Sequence, residues 1–325
     1  MIKIIAATPV PSDGTSFYRA FGIFKNLERM LNIQFLQLPQ AYQWPLLKMA
    51  DIMFMHRPFV NENVTMLKYA KELGLKIWID HDDNLFELPP ENSGFERYNA
   101  DTKQQMFNIL KLADVITVST QELKVYFDKM GFFNVTVIPN ALDDTFPNGK
   151  MVDGFNKTKN YFWRGTPTHM GDIYDFQQEI FEAIKQTTDP WYFFGYNPHF
   201  LTRICDPLRV KYLKAEDIIQ YFKLLKLHKP HVLHVPLSDN YFNMCKSNIA
   251  WIEATMAGAA CIAPDWPEWR RPGIINYKNY EEYLQILTSL PDLEKNWKES
   301  REFIMENLTL GKVNLMRKEI IQNLI

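Results

Sequence analysis

The chain is poor in the residues that build covalent or fibrous frameworks. It has only three cysteines in 325 residues, Cys205, Cys245 and Cys261, an odd number without paired spacing. That excludes a disulfide scaffold and suits a reducing compartment. No apolar run approaches the roughly 18 residues that a spanning helix needs. The opening MIKIIAATPVP is too short an apolar run for a secretory leader and reads as a first strand. The expectation is a cytoplasmic protein without a transmembrane segment. Excess charge is also missing: 36 basic against 38 acidic side chains leave a formal −2. No global field therefore marks a polyanion partner, although a local basic groove stays open. Short repeats and low-complexity tracts are absent. With 46% hydrophobic and 14% aromatic residues, the chain has the means to bury a large core.

Strand and helix patterns alternate from the first residues. Lys3–Thr8 reads as a strand, followed by the loop PVPSDGTS and an amphipathic helix from Phe17 to about Leu31. Ile33–Leu38, Asp51–His56, Lys76–Asp80, Val115–Ser119 and Val135–Pro139 read as further strands. Helical patterns over Glu62–Leu73, Thr102–Ala113 and Gln121–Met130 separate them. Between Asn140 and Lys159 the pattern breaks into a polar stretch without period, a linker. A second alternation follows. Its strands are Tyr161–Arg164, Trp191–Tyr196, Val210–Leu213, His231–Val235, Cys261–Pro264 and Ile274–Asn276; its helices are Asp172–Gln186, Glu216–Leu225 and Asn248–Ala257. From Tyr280 onward the tail reads as helical. Short apolar strands separated by helices predict parallel sheets with crossover connections. The fold class is α/β, two doubly wound Rossmann-like halves facing a cleft, where ligands bind beyond the carboxyl ends of the strands.

The segment VPLSDNYFNMCKSNIAWIEATMAGAACIAPDWPEW, residues 235–269, is the most informative. Ser247 is a good N-cap, and Gly258 sits where a helix would end. Lys246 and Glu253 are seven positions apart, two helical turns, so the spacing predicts one face and a separation of roughly 10 Å along the axis. That is about the distance from a diphosphate to the far edge of its ribose. A cation at a helix N-terminus suits phosphate, and a carboxylate two turns on suits ribose hydroxyls. A solvated, salt-bridging helix accounts for the same spacing.

The run PLSDNYFNMCKSNIAWIEATMAGAACIAP resembles the donor-site helix of GT-B glycosyltransferases, in particular the family 4-like and spore-protein-like group with bacterial and phage members. YFWRGTPTHMGDI and FFGYNP resemble that group's donor domain. SFYR, IDHDDNLFE, ADVITVSTQEL and VIPNALD resemble its other half, in the same order, so the likeness covers nearly the whole chain. The resemblance implies an acceptor-side domain over 1–150, a nucleotide-sugar domain over 151–308, and a final helix over 309–325 crossing back onto the first. It implies a retaining transfer without a required cofactor or bound metal, using a nucleotide-diphosphate sugar, with a UDP-sugar foremost. On this likeness Arg164 and Lys246 stabilise the departing diphosphate, and Gly14, Gly165, Thr166, His169, Asn243, Ser247 and Glu253 line the donor site. Many family 4 enzymes carry a further glutamate eight positions before the ribose-binding one. Here that position is Cys245, which cannot act as a carboxylate.

The stretch IWIDHDDNLFE places Asp80, His81, Asp82 and Asp83 at a strand's cleft end. By the resemblance, His81 and Asp82 contact the sugar or the attacking hydroxyl, with Asp80 or Asp83 as alternatives; a capped turn is the plain reading. In the first loop, Gly14 permits close backbone approach and Thr15 or Ser16 caps the helix. Tyr18 and Arg19, with Asp83, are candidate acceptor or phosphate contacts, against a plainly capped helix with Arg19 solvated. His228, His231 and His234 are spaced by three, which alternates faces on a strand and is poor for metal ligation. Arg270 and Arg271, flanked by Trp266 and Trp269, suit either base stacking or loop packing. Related phage enzymes glycosylate hydroxymethylated bases in DNA, so the expected acceptor is such duplex DNA or a surface glycan. The alternatives are a catalytically silent nucleotide- or sugar-binding protein and a sugar-nucleotide epimerase.

Overall fold

The central apolar runs form strands that are sealed on both faces. A computed structural model of the chain describes residues 1–7, 13–38 and 44–325; Thr8, the expected end of the first strand, and residues 9–12, the first half of the loop expected after it, lie outside them. The first sheet comprises β1 (Ile2–Ala7), β2 (Ile33–Leu38), β3 (Ile52–His56), β4 (Lys76–His81), β5 (Val115–Val118) and β6 (Val135–Val137), in the order β2-β1-β3-β4-β5-β6. All its pairs are parallel, with Trp78 opposite Val115 between β4 and β5. Ile4, Ile52, Phe54 and Trp78 point to one face, while Ile5, Met53, Ile77, Ile79 and Ile116 point to the other. Each such fully buried side chain contributes roughly 1.5–3 kcal/mol relative to exposure.

The helices of this half are α1, α2 (Asn61–Glu72), α3 (Ala100–Leu110) and α4 (Gln121–Lys129). Helix α1 is composite: an α-turn Gly14–Ser16, a π-helical turn Phe17–Phe21 and an α-helix Gly22–Met30. Its N-cap is Asp13, whose side chain accepts from Ser16 N at 2.6 Å, rather than the expected Thr15 or Ser16. The π-turn depends on Gly22, where a Cβ would lie 2.5 Å from the Phe17 carbonyl oxygen. Two 3-10 turns, Trp44–Met49 and Phe95–Tyr98, have no counterpart in the sequence reading.

The second sheet comprises β7 (Tyr161–Gly165), β8 (Trp191–Gly195), β9 (Val210–Lys214), β10 (Val232–His234), β11 (Ala260–Pro264) and β12 (Ile274–Tyr277), again all parallel, in the order β12-β11-β10-β7-β8-β9. Its helices are α5 (Met170–Asp175), α6 (Gln177–Gln186), α7 (His199–Thr202), α8 (Ile218–His228), α9 (Tyr241–Met244), α10 (Ile249–Met256), α11 (Tyr280–Thr288), α12 (Leu293–Asn307) and α13 (Leu310–Leu324). The single helix expected over Asp172–Gln186 is two, because Phe176 leaves helical geometry and buries its ring 4.7–5.6 Å from those of Tyr277, Tyr280 and Tyr283.

Helix α13 packs on α1 of the first half. Leu310, Val313, Ile320 and Ile321 share a core with Ile4, Ala20, Ile23, Phe24 and Leu27. Asn314 donates to Ile23 O and Asn26 Oδ1 at 3.2 and 2.8 Å. Among the described residues no helix is long and apolar enough to cross a membrane. In each sheet the strand order reverses once, between β1 and β3 and between β7 and β10. The carboxyl ends of those strands define the crevice.

Candidate functional site

Glu253 sits in the middle of α10 and is 4% exposed. A buried carboxylate needs partners, and three converge on it. Tyr18 Oη donates to Oε1 at 2.9 Å, Tyr221 Oη donates to Oε2 at 2.9 Å, and Arg164 Nε lies 2.8 Å from Oε2. The Arg164 N–H points off that line, so the contact is an ion pair rather than a hydrogen bond. Burial and the Glu253 charge hold both phenols well above their ordinary pKa, so both remain donors. Arg164 comes from β7, Tyr221 from α8 and Tyr18 from the π-turn of the first half. Gly165, next to Arg164, has no room for a side chain: a Cβ would meet the Trp163 ring at 2.5 Å.

Lys246 does not share a helix with Glu253, contrary to the expected spacing. Helix α9 ends at Met244 and α10 begins at Ile249, so Lys246 lies in the turn between them. Its Nζ stands 3.8 Å from Asp83 Oδ1 and 4.4 Å from the centroid of the Phe242 ring. Ser247 is not the N-cap either. That position is Asn248, and Ser247 Oγ accepts instead from Asn140 Nδ2 of the other half at 2.8 Å. Asn243 is 2% exposed and donates to Asp172 Oδ1 and Ser238 O at 2.7 and 3.0 Å. His169 Nδ1 lies 2.9 Å from Asp172 Oδ2; burial, then the nearby Lys246 charge, lower its pKa. Thr166 is exposed, its hydroxyl 2.7 Å from that of Thr168. Gly14 approaches the second half, where a Cβ would meet Ile218 Cδ1 at 3.6 Å.

The carboxylates at the end of β4 divide into two sets: Asp80 lies within the buried strand, whereas Asp82 and Asp83 follow it. Asp80 turns inward and takes a bidentate pair from Arg19 at 2.7 and 3.0 Å, with Thr117 Oγ1 donating at 2.6 Å. Arg19 is 1% exposed and also donates to Ile138 O and Asn140 Oδ1. It is a buried structural cation, not the expected contact to acceptor or phosphate. His81 is also sealed, 1% exposed, with its ring 5.7 Å from that of Phe127 and no hydrogen-bond partner for either nitrogen. Burial lowers its pKa to about 4, so the imidazole is neutral and, as folded, does not reach the crevice.

Asp82 and Asp83 face the crevice and meet a cation the sequence reading missed, Arg57. Its Nε donates to Asp82 and its Nη2 to Asp83, while His56 Nε2 lies 3.1 Å from Asp82. Arg57 immediately follows β3 at a switch point and has φ +47°, a left-handed conformation costly for a side chain this long. Its position after an apolar strand was the available signal. A chain of polar contacts thus runs from His56 through Asp82, Arg57 and Asp83 to Lys246, from one half to the other. Burial and the Arg57 charge act oppositely on Asp82, and the cationic partners win, keeping it ionised.

Cys245 is fully buried among first-half side chains. Asn84 Nδ2 approaches its Sγ at 3.6 Å, and Thr120 Oγ1 donates to its carbonyl at 2.9 Å. Its thiol is pushed up to about 12 by burial, so it is not a nucleophile. Arg270 and Arg271 pair with Asp265 and Glu268 of their own loop at 2.7 and 2.9 Å. Nδ1 of His231 faces the Asn156 carbonyl, and that of His234 faces the Tyr283 hydroxyl. Among the described residues no cluster could hold a metal ion. The site joins a guanidinium and a buried acid with two phenols, beside an ammonium held by an aspartate. These are groups suited to a diphosphate and a vicinal diol.

No family model and no curated protein matches the chain. Solved structures do. The Anabaena HepE protein in complex with UDP aligns at a TM-score of 0.64 and 13% identity, over 99% of this chain and 100% of that one. A glycosyltransferase from Rickettsia africae aligns at 0.61 and 12% identity, over 99% and 98%. TarM aligns at 0.61 and 13% identity; the match spans 84% of this chain but only 54% of TarM. Two six-stranded parallel sheets flanked by helices, aligned with the HepE and Rickettsia proteins along their length, make this chain a two-domain Rossmann-like protein of the GT-B fold.

Proposed function

We propose that the chain is a glycosyltransferase that takes a nucleotide-diphosphate sugar, foremost a UDP-sugar, and passes the sugar to an acceptor hydroxyl with retention of configuration. One observation carries the reading: Arg164 and Glu253 meet where the strand order of the second sheet reverses, the place where such sheets bind nucleotides. HepE, of the same fold, is known in complex with UDP. On this reading Glu253 accepts from the ribose hydroxyls, and Arg164 and Lys246 neutralise the diphosphate, with no metal or cofactor required. Asp83, held by Arg57, positions the Lys246 amine.

In transfer, the bond from the anomeric carbon to the diphosphate oxygen breaks and its electron pair leaves with the nucleoside diphosphate. The acceptor oxygen bonds to the same carbon, and its proton passes to the leaving phosphate. The expected acceptors were a hydroxymethylated DNA base and a glycan. Arg270 and Arg271 are each committed to an acid of their own loop, which supports a glycan over a duplex.

Thermal unfolding against a panel of nucleotide-sugars tests the donor, since a ligand that binds the folded state raises the melting temperature by mass action. A UDP-sugar is expected to give the largest shift. No shift with any of them would end the reading. A shift without nucleoside diphosphate release from any acceptor would favour a silent binding protein, the alternative that the buried Cys245 supports.

A further inference from the structure

Beside the Glu253 cluster lies a cavity that the donor reading does not use. It has a volume of about 520 Å³, within the range of roughly 300–1,000 Å³ typical of small-molecule sites. One wall is α1, which presents Phe17, Phe21, Lys25 and Arg29 at intervals of four, with Gly22 between them. The opposite wall is the start of α8, with Ile218 and Ile219, and the interdomain segment around Phe146 and Pro147. On both walls the lining residue stands within one turn of a Glu253 partner: Phe17 adjoins Tyr18, and Ile218 precedes Tyr221 by three.

The lining is apolar inside and charged at the rim, with two cations and two carboxylates, of which, among the described residues, only the carboxylates are engaged by the protein. Asp143 and Asp217 are both engaged by local donors. Asp143 accepts from Thr145 N and Oγ1 and from Phe146 N, and Asp217 accepts from Ile219 N and Gln220 N. Lys25 and Arg29 are exposed and make no ion pair among the described residues. Phe21 and Ile219 are 38% and 45% exposed. Helical π-turns of this kind recur at functional sites, and this one places Phe17 and Phe21 on the cavity face.

We infer that this cavity binds an anionic amphiphile, with its alkyl portion against Phe17, Phe21 and Ile218 and its anionic group between Lys25 and Arg29. Buried apolar area holds the tail, and the two free cations select an anion over a neutral head. Resting on the transferase reading, the cavity then holds the apolar end of the acceptor, so that the acceptor is a glycan or hydroxyl carried on an anionic lipid-like anchor.

Calorimetric titration of the full chain with dodecyl phosphate below its micelle concentration tests the site. One equivalent is expected to bind at least tenfold more tightly than dodecanol or inorganic phosphate. The double variant Lys25→Glu/Arg29→Glu is expected to lose that tenfold margin while its dodecanol binding stays unchanged; Phe21→Glu should weaken both alkyl ligands. Dodecyl phosphate that binds no better than either control, or equally well to the double variant, would overturn the inference. Retention on phosphatidylglycerol vesicles without any response to dodecyl phosphate would also overturn it, by marking a surface in place of a cavity. Binding of UDP-sugar without dodecyl phosphate sinks this site alone. Binding of dodecyl phosphate without UDP-sugar leaves the site standing and removes the transferase reading.

Discussion

The hydroxyl of Tyr18 donates to Glu253 across the cleft, joining residues 235 positions apart in the chain. With Tyr221 and Arg164 on the other oxygen, both oxygens of the carboxylate proposed for ribose already have a protein partner. On the proposed reading the Tyr18 phenol competes with the ribose hydroxyls for Glu253 Oε1.

Tyr18→Phe therefore removes a competitor. A hydrogen bond to a charged group is worth roughly 1.5–3 kcal/mol, and about 1.4 kcal/mol is tenfold in affinity. UDP is expected to bind about tenfold more tightly to the variant by calorimetry. An unchanged or weaker affinity would show that the phenol does not compete.

On the proposed mechanism the Lys246 amine counters charge that develops as the diphosphate leaves, so Lys246→Ala should abolish turnover with only a modest loss of donor affinity. Near wild-type turnover in steady-state assays would remove Lys246 from the mechanism.

Arg57 combines a strained backbone with two ion pairs, and two substitutions separate them. Arg57→Ala loses the pairs and keeps the strain; Arg57→Gly loses the pairs and relieves it. The glycine variant is expected to be more stable than the alanine variant by about 1 kcal/mol in urea denaturation. Equal stabilities would mean that the φ of +47° carries no cost.

Gly22→Ala would set a Cβ against the Phe17 carbonyl and is expected to cost roughly 1–3 kcal/mol by thermal unfolding. If the π-turn reverts to α-helix, the preceding segment rotates by about 100°, which carries Tyr18 away from Glu253. A variant with full stability and wild-type UDP affinity would contradict this account.

His81 gives a pH dependence with a definite sign. Its pKa falls from the ordinary 6.5 to about 4 in the folded protein, so below about 6.5 the unfolded chain binds a proton that the folded chain does not. The neutral ring's contribution is complete above that pH and lost as pH falls toward 4, on the order of 3 kcal/mol in all. His81→Phe is expected to gain stability on the wild type at pH 5 relative to pH 7.5. Parallel stabilities at the two pH values would exclude His81 as the cause.

The sheets were legible because a parallel strand covered on both faces is a plain apolar run, and β3 and β4 are such runs. The π-turn was not, since its five residues read as ordinary amphipathic helix. Lys246 and Glu253 were singled out on their spacing, but the geometry assigned to them failed: the turn between α9 and α10 interrupts the helix that the spacing suggested. Arg19 and Asp80, 61 positions apart, could not be paired from sequence, so the arginine looked free for a ligand. Arg57 drew no notice because its strain appears only in backbone angles. The apolar cavity is assembled from three distant segments, none of them unusual alone.

The packing of α13 on α1 has a consequence for biosynthesis. The first sheet is complete by residue 137, yet the apolar surface of α1 stays uncovered until Leu310–Ile321 arrive. A ribosome making some 5–20 residues per second leaves that surface bare for about ten seconds or more. Premature termination anywhere in the second half would release an N-terminal domain with its core open to water.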